Sequence, residues 1–191
     1  MGRPVTGADE AVHGPVHRLG PEWAVGADGV RFRHAARVIL LDSRDRVLLL
    51  HGCDVDQRER SWWFTVGGGI DAGESPRDAA VRELFEETGL TLAASALVGP
   101  VYRRSAMFDF FRESCRQEEV FYVGRYADAA DDDAFSRAGW TQVERDTIDE
   151  LRWWDLDDLA AVTEEVFPAG LAGLVRALLP GWDGVERDLD A

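Results

Sequence analysis

Three acidic residues within five positions, Glu83, Glu86 and Glu87, carry the most specific chemical signal in the chain. On a helix they fall at i, i+3 and i+4, so their carboxylates converge within one turn, where like charges repel and weaken an isolated helix. A hard divalent cation relieves that repulsion: magnesium takes oxygen ligands and is usually held by one or two carboxylates together with substrate phosphates. The residues ahead of the acids fit such a site. Gly67, Gly68 and Gly69 let the backbone approach a metal or a phosphate with no side chain in the way. Arg82 can balance part of the acidic charge by pairing with Glu74. A cation so held polarises a phosphoryl oxygen and lowers the pKa of bound water, while a nearby carboxylate removes the proton. That chemistry suits hydrolysis of a phosphoanhydride. The same acids on their own also read as a solvated helix face.

The element that must position them is a helix with clear boundaries. Ser75 caps its start, Pro76 suits the first helical position, Asp78 completes a capping-box-like spacing, and Gly89 is a good left-handed stop. At about 100° per residue, Ala80, Val81, Leu84, Phe85 and Thr88 gather on one side, which is the expected buried face. Ala79, Arg82, Glu83, Glu86 and Glu87 gather on the other.

Gly68, Glu74, Arg82, Glu83, Leu84, Glu86, Glu87, Gly89 and Leu90, with their spacing, resemble the signature of the Nudix hydrolases at every position. A chance match is on the order of one in 10⁸ per start point. The resemblance implies an α/β fold, the Nudix-type α/β/α sandwich with a mixed β-sheet. This domain is placed at residues 34–180, after a Gly/Pro-rich lead-in at 1–33 and before an acidic tail at 181–191. It implies a Mg2+-dependent hydrolase, with Mn2+ as a substitute, cleaving the diphosphate linkage of a nucleotide or another small nucleoside-diphosphate-linked substrate. Carried over by position, Glu86 and Glu87 are metal ligands, Glu83 is a ligand or the base, and the Gly67 carbonyl is a further ligand. Arg82 and Glu74 orient the helix, and Gly68 and Gly89 are structural.

In many family members the base lies outside the signature, which here points to Glu118, Glu119 and Glu144, with Glu119 preferred as the acid entering a strand. Val66 stands where the family commonly has proline, a departure that loosens one turn. Two other readings stay open. One is a nucleotide-sensing module that does not cut, against which the intact acids argue. The other is an isoprenyl diphosphate isomerase, which shares the fold and against which the complete signature argues. No substrate-binding residue is assigned: Trp62, Trp63, Phe108, Phe110, Phe121 and Tyr122 either stack on a base or fill the core.

The chain of 191 residues, with 46% hydrophobic residues, is large enough for one domain whose core requires no disulfide. A formal charge of −15 repels polyanions at long range, which argues against nucleic-acid polymers as partners but not against a small nucleotide at a cation. Cys53, in an expected loop, and Cys115 lack the spacing of a metal knuckle and are expected to be free thiols. No apolar run reaches the roughly 18 residues of a membrane span, so a cytoplasmic protein without membrane contact is expected, as is, from the family's habit, a possible homodimer.

Periodicity predicts strands at 36–41 and 46–50 joined by a hairpin turn, then a bulky segment at 61–66. Further strands are expected at 95–103, 107–111, 118–126 and 151–154, with Trp23-Ala24-Val25 as a short edge strand. Residues 127–150 read as a long loop, and Asp131, Asp132 and Asp133 as solvated surface. Helices are expected from Leu156 to about Glu165 after Asp155, and from Pro168 onward, with Leu171, Leu174, Val175, Leu178 and Leu179 in the core or a subunit interface.

Overall fold

A computed structural model describes residues 23–54, 57–110, 113–127 and 135–189, apart from the side chains of Phe110 and Glu113. The acidic triplet at 131–133 and most of the lead-in lie outside the described residues.

The continuous apolar run of β2 (Arg31–Leu41) is buried on both faces, as expected of a central strand. Ala36, Val38 and Leu40 pack toward α1 (Pro76–Thr88) with Leu84 and Ala80, while Ile39 and Leu41 pack the other way. There they meet Leu159 of α3 (Leu156–Ala161) and Leu171, Val175 and Leu178 of α4 (Leu171–Leu178). Helices on both faces of one sheet make the α/β/α sandwich. The leucines of α4 thus fill the core.

The remaining strands are β1 (Ala24–Val25), β3 (Val47–Cys53), β4 (Ser61–Gly69), β5 (Val98–Phe110), β6 (Glu113–Arg125), β7 (Ile148–Trp154), β8 (Glu165–Phe167) and β9 (Arg187–Leu189). The sheet is mixed, in the order β7-β3-β4-β2-β6-β5-β9, with β1 added to β2 and β8 to β4. β2 pairs parallel with β6, from Arg31 opposite Cys115 to Leu41 opposite Arg125.

The turn after β2 is as expected, with the Asp42 carboxylate accepting from the backbone N–H of Arg44 and Arg46. The hairpin ladder is not: β2 and β3 pair only at Leu41 and Val47. Beyond that point β4 fills the opening, with Val66–Gly69 on β2 and Ser61–Thr65 on β3. β4 therefore carries the three glycines into the middle of the sheet. Several local expectations are corrected. The segments expected at 95–103 and 107–111 merge into one strand, β5, because β6 pairs with it without a break from Tyr102 to Phe110; residues 94–96 form a short 3-10 turn before it. The loop at 127–150 contains α2 (Gln142–Thr147) and the start of β7. The helix after Asp155 stops at Ala161, freeing Glu165–Phe167 to pair with β4, and α4 begins only after Gly170. Cys53 ends β3, and both cysteines are buried.

Gly67 sits at φ 131 opposite Arg37, and a Cβ there would lie 2.2 Å from the Ala36 carbonyl oxygen. Gly73 also has a positive φ, 85, but open space around it. Gly67→Ala is expected to cost about 3 kcal/mol or more, from backbone strain plus overlap, and Gly73→Ala about 1 kcal/mol from strain alone. Denaturant unfolding of the two variants checks this; equal costs would contradict the close approach of β2 and β4.

Candidate active site

The helix boundaries form as the caps dictate. The Ser75 side chain accepts from the Asp78 N–H, Pro76 opens the helix, and Gly89 closes it at φ 76. The buried face is rotated from the one hydrophobicity picks out. Ala79, Ala80, Glu83, Leu84, Glu87 and Thr88 are buried, whereas Phe85 is 56% exposed and Val81 only partly covered. The cause is the surface beneath. α1 lies over the glycine end of β4, where the missing side chains leave room for carboxylates: a Cβ on Gly68 would meet Glu83 Oε2 at 2.6 Å.

Glu87 accepts from the Gly67 N–H at 2.7 Å. Arg82 is fully engaged: it grips Glu74 with two bonds of 2.9 Å, and it also donates to Glu83, Glu86 and the Gly69 carbonyl. The fork-to-carboxylate geometry ties the loop before α1 to the helix itself. The far end of α1 is pinned by the segment before α2. Trp140 Nε1 donates to the Glu87 carbonyl at 2.7 Å, and the Ser136 N–H to the Thr88 carbonyl at 2.9 Å.

Oxygens of Glu83, Glu87 and Glu144 lie within 4.8 Å of one another. Glu144 is delivered by α2, whose Thr141–Glu144 capping box uses one Glu144 oxygen. Burial pushes the Glu83 carboxyl up, and the charges of Glu86 and Glu144 add to it against the pull of Arg82. Glu87 is pushed well above the usual carboxylate range, by burial first and then by Glu83, although the Gly67 N–H and Arg37 oppose this. Three converging oxygen donors that repel one another and are short of counter-charge match the needs of a hard divalent cation.

The other expected residues are placed differently. Glu86 lies outside this triplet, half exposed, with Oε2 on Arg82. Glu119, the preferred base, is 2% exposed in β6 and held by Arg37 at 2.9 Å, Arg104 at 2.6 Å and Gln117 at 2.7 Å. Burial alone would raise its pKa, but Arg37 and Arg104 outweigh burial and hold the carboxyl below its usual range. Its carboxylate is thus already taken by three donors, and Glu144 is the acid outside the signature that joins Glu83 and Glu87 in the cluster. Glu118 lines a cavity of about 780 Å³ between the loop at 70–74 and strands β2, β5 and β6, whose lining also includes Glu74 and Glu119. The Gly67 carbonyl accepts from Arg37 Nη1. Trp63, Phe121 and Tyr122 are core, and Phe108 packs edge-on against Trp23; Phe110 lies outside the described side chains.

A NUDIX domain is matched over residues 31–175. The chain belongs to the Nudix family. Among Nudix relatives, it is 41% identical over 78 residues to a putative 8-oxo-dGTP diphosphatase of Bacillus subtilis, covering 41% of this chain and 48% of that protein. It is 40% identical over 62 residues to an RNA pyrophosphohydrolase of Novosphingobium aromaticivorans, covering 32% of this chain and 37% of that one. The matched stretches thus span less than half of either relative. A solved MutT protein from Methanosarcina mazei Go1 shares the fold, with a TM-score of 0.52 at 16% identity over 76% of this chain and 91% of that one. The E. coli dihydroneopterin triphosphate pyrophosphohydrolase does likewise, at 0.51 and 18% over 78% and 97%.

Missed by sequence reasoning were Arg37, Arg104 and Trp140. A charge inside the apolar run from Ala36 to Leu41 is a signal for Arg37, and the Thr141-x-x-Glu144 spacing is one for α2.

Two carboxyls of this Nudix site give opposite pH effects. An acid whose folded pKa is raised disfavours the fold as pH climbs past its unfolded pKa, whereas one whose folded pKa is lowered gives stability that is lost as pH falls through the folded value. With metal chelated, Glu87→Gln is expected to melt above wild type at neutral pH, the gain disappearing in acid. Glu119→Gln is expected to lose about 3 kcal/mol at neutral pH, because it leaves two guanidinium groups around a neutral side chain, with a shrinking deficit in acid. Thermal melts across pH check both; a Glu87→Gln protein less stable than wild type at neutral pH contradicts the burial argument.

Proposed function

We propose that this Nudix protein hydrolyses a phosphoanhydride in a nucleotide or another small diphosphate, using a divalent cation held at the end of α1. The observation that carries the reading is the convergence of Glu83, Glu87 and Glu144 within 4.8 Å over the side-chain-free backbone of Gly67 and Gly68. Folding alone disfavours such a set of buried like charges, so a cation and a phosphate give it a purpose. The names of the two sequence relatives, a diphosphatase and a pyrophosphohydrolase, support the same class of reaction.

Glu83 and Glu87 would hold the cation, and Mg2+ there, or Mn2+ in its place, would supply charge to the phosphoryl oxygens and acidity to a water. Arg82 fixes Glu83 from one side and the Gly67 N–H fixes Glu87 from another, so both carboxylates are pre-set before substrate arrives. Glu144 sits on a separate helix and is only partly buried. It is the proposed acceptor of the water's proton, passing it to solvent after attack. The water oxygen bonds to phosphorus, the bridging P–O bond breaks, and the departing phosphate takes the electron pair. The glycine strand lets the substrate's phosphates lie against the backbone.

Incubation with Mg2+ and a panel of nucleoside triphosphates, dinucleoside polyphosphates and nucleotide sugars, with products resolved by chromatography, tests this. Cleavage at a phosphoanhydride is expected, falling by about 10²-fold or more in Glu87→Gln and in Glu144→Gln. Unchanged turnover in either folded variant contradicts the role given to that residue.

A further inference from the structure

The face of the sheet opposite α1 carries a charged group that the roles above leave unused. Arg37, Glu119 and Arg104, on β2, β6 and β5, form one ion-paired triad in a layer otherwise filled by Ile39, Phe121 and Tyr102. Both guanidinium groups are nearly covered, with side-chain exposures of 11% and 12%. A purely structural account fits poorly, because replacing a buried ion pair by well-packed apolar residues is often neutral or stabilising. Two cations to one carboxylate also leave the triad with a surplus positive charge.

The triad lies beside the glycine strand. Arg37 and Gly67 are direct cross-strand partners, and Arg37 Nη1 donates to the carbonyls of Thr65 and Gly67. Arg82, the other guanidinium that donates to a carbonyl of this strand, already serves three carboxylates. Arg37 uses Nε on Glu119 and Nη1 on the two carbonyls, so its Nη2 has no acceptor among the described residues. Arg104 directs Nε and Nη2 at Glu119, leaving Nη1 without one as well. The two arginines lining the neighbouring cavity differ, since Arg103 is matched by Glu186, and Arg116 by Asp28 and Glu118.

We propose that Arg37 and Arg104, both anchored on Glu119, are the substrate-binding residues that take a phosphate group lying against Gly67 on the face away from α1. This rests on the diphosphate-hydrolase reading and assigns the second wall of the same site. The acids of α1 and α2 serve one side of the substrate through a cation; the triad serves the other through guanidinium forks, whose planar donors match phosphate oxygens two at a time. Glu119 is a positioning residue that acts by holding the forks apart and aimed.

The test separates the two walls with a non-hydrolysable probe. Mg2+ alone and then methylenediphosphonate in Mg2+ are titrated calorimetrically into wild type, Arg37→Lys, Arg104→Lys and, as a control on a nearby arginine already paired with Glu186, Arg103→Lys. Lysine keeps an ion pair to Glu119 but loses the fork. Expected is unchanged Mg2+ binding throughout, with methylenediphosphonate bound about tenfold or more weakly by Arg37→Lys and Arg104→Lys and normally by Arg103→Lys. In turnover the two variants raise KM more than they lower kcat. If Arg37→Lys fails to melt cooperatively, Arg104→Lys carries the comparison. Equal diphosphonate affinity in wild type and in the folded variants, or none in wild type, overturns the proposal while Mg2+ binding leaves the hydrolase reading intact. Arginine-dependent diphosphonate binding without Mg2+ binding leaves the triad standing and removes the cation.

Discussion

Everything at the site depends on carboxylates being pressed against the end of a strand, Gly67 to Gly69, that has no side chains. Glu87 reaches the Gly67 N–H, and Glu83 lies on the open face of Gly68, where a Cβ would meet its carboxylate; a Cβ on Gly67 would strike the β2 backbone at Ala36. That requirement explains the rotation of α1, which buries two glutamates and leaves Phe85 in solvent. It explains why β4 enters between β2 and β3, since only an interior strand brings the glycines beneath the helix. It also gives Trp140 its role: with the last turn of α1 tied to the segment before α2, Glu144 is brought opposite the two acids.

The arrangement trades stability for chemistry. Burial and mutual repulsion push Glu83 and Glu87 toward the protonated form, while Arg82, with acceptors on three carboxylates and a backbone carbonyl, offsets part of the repulsion. Strong caps on α1 and the tight loop bonded through Glu74 supply local rigidity that the acidic face lacks. Glu119, a buried acid on β6 rather than on α1, meets the opposite environment, and Arg37 and Arg104 outweigh its burial to hold the carboxyl below its usual range. Two buried glutamates thus differ in proton affinity because of their neighbours, not their depth.

Local features were legible in the chain. The caps Ser75, Pro76 and Gly89, the pairing of Arg82 with Glu74, and the acids at helical spacing all act within one or two turns, and the structure has them as expected. The buried face of α1 was not legible from hydrophobicity, because its partner is a glycine strand that accepts carboxylates where most sheets would demand apolar side chains. The splayed hairpin was hidden for a related reason: β2 and β3 each read as ordinary buried strands, and nothing near the turn announces that β4 will part them. The surroundings of Glu119 depend on Arg37, 82 residues away. Such a contact leaves no periodic trace, so nothing in the sequence announces that two arginines grip this acid.

The most direct measurement is the anomalous scattering of Mn2+ in crystals of the protein. A single strong peak bounded by the carboxylates of Glu83, Glu87 and Glu144 is the expected result. Mn2+ bound only elsewhere, or no peak at that cluster at saturating Mn2+, would contradict the claim that α1 and the glycine strand exist to hold a cation.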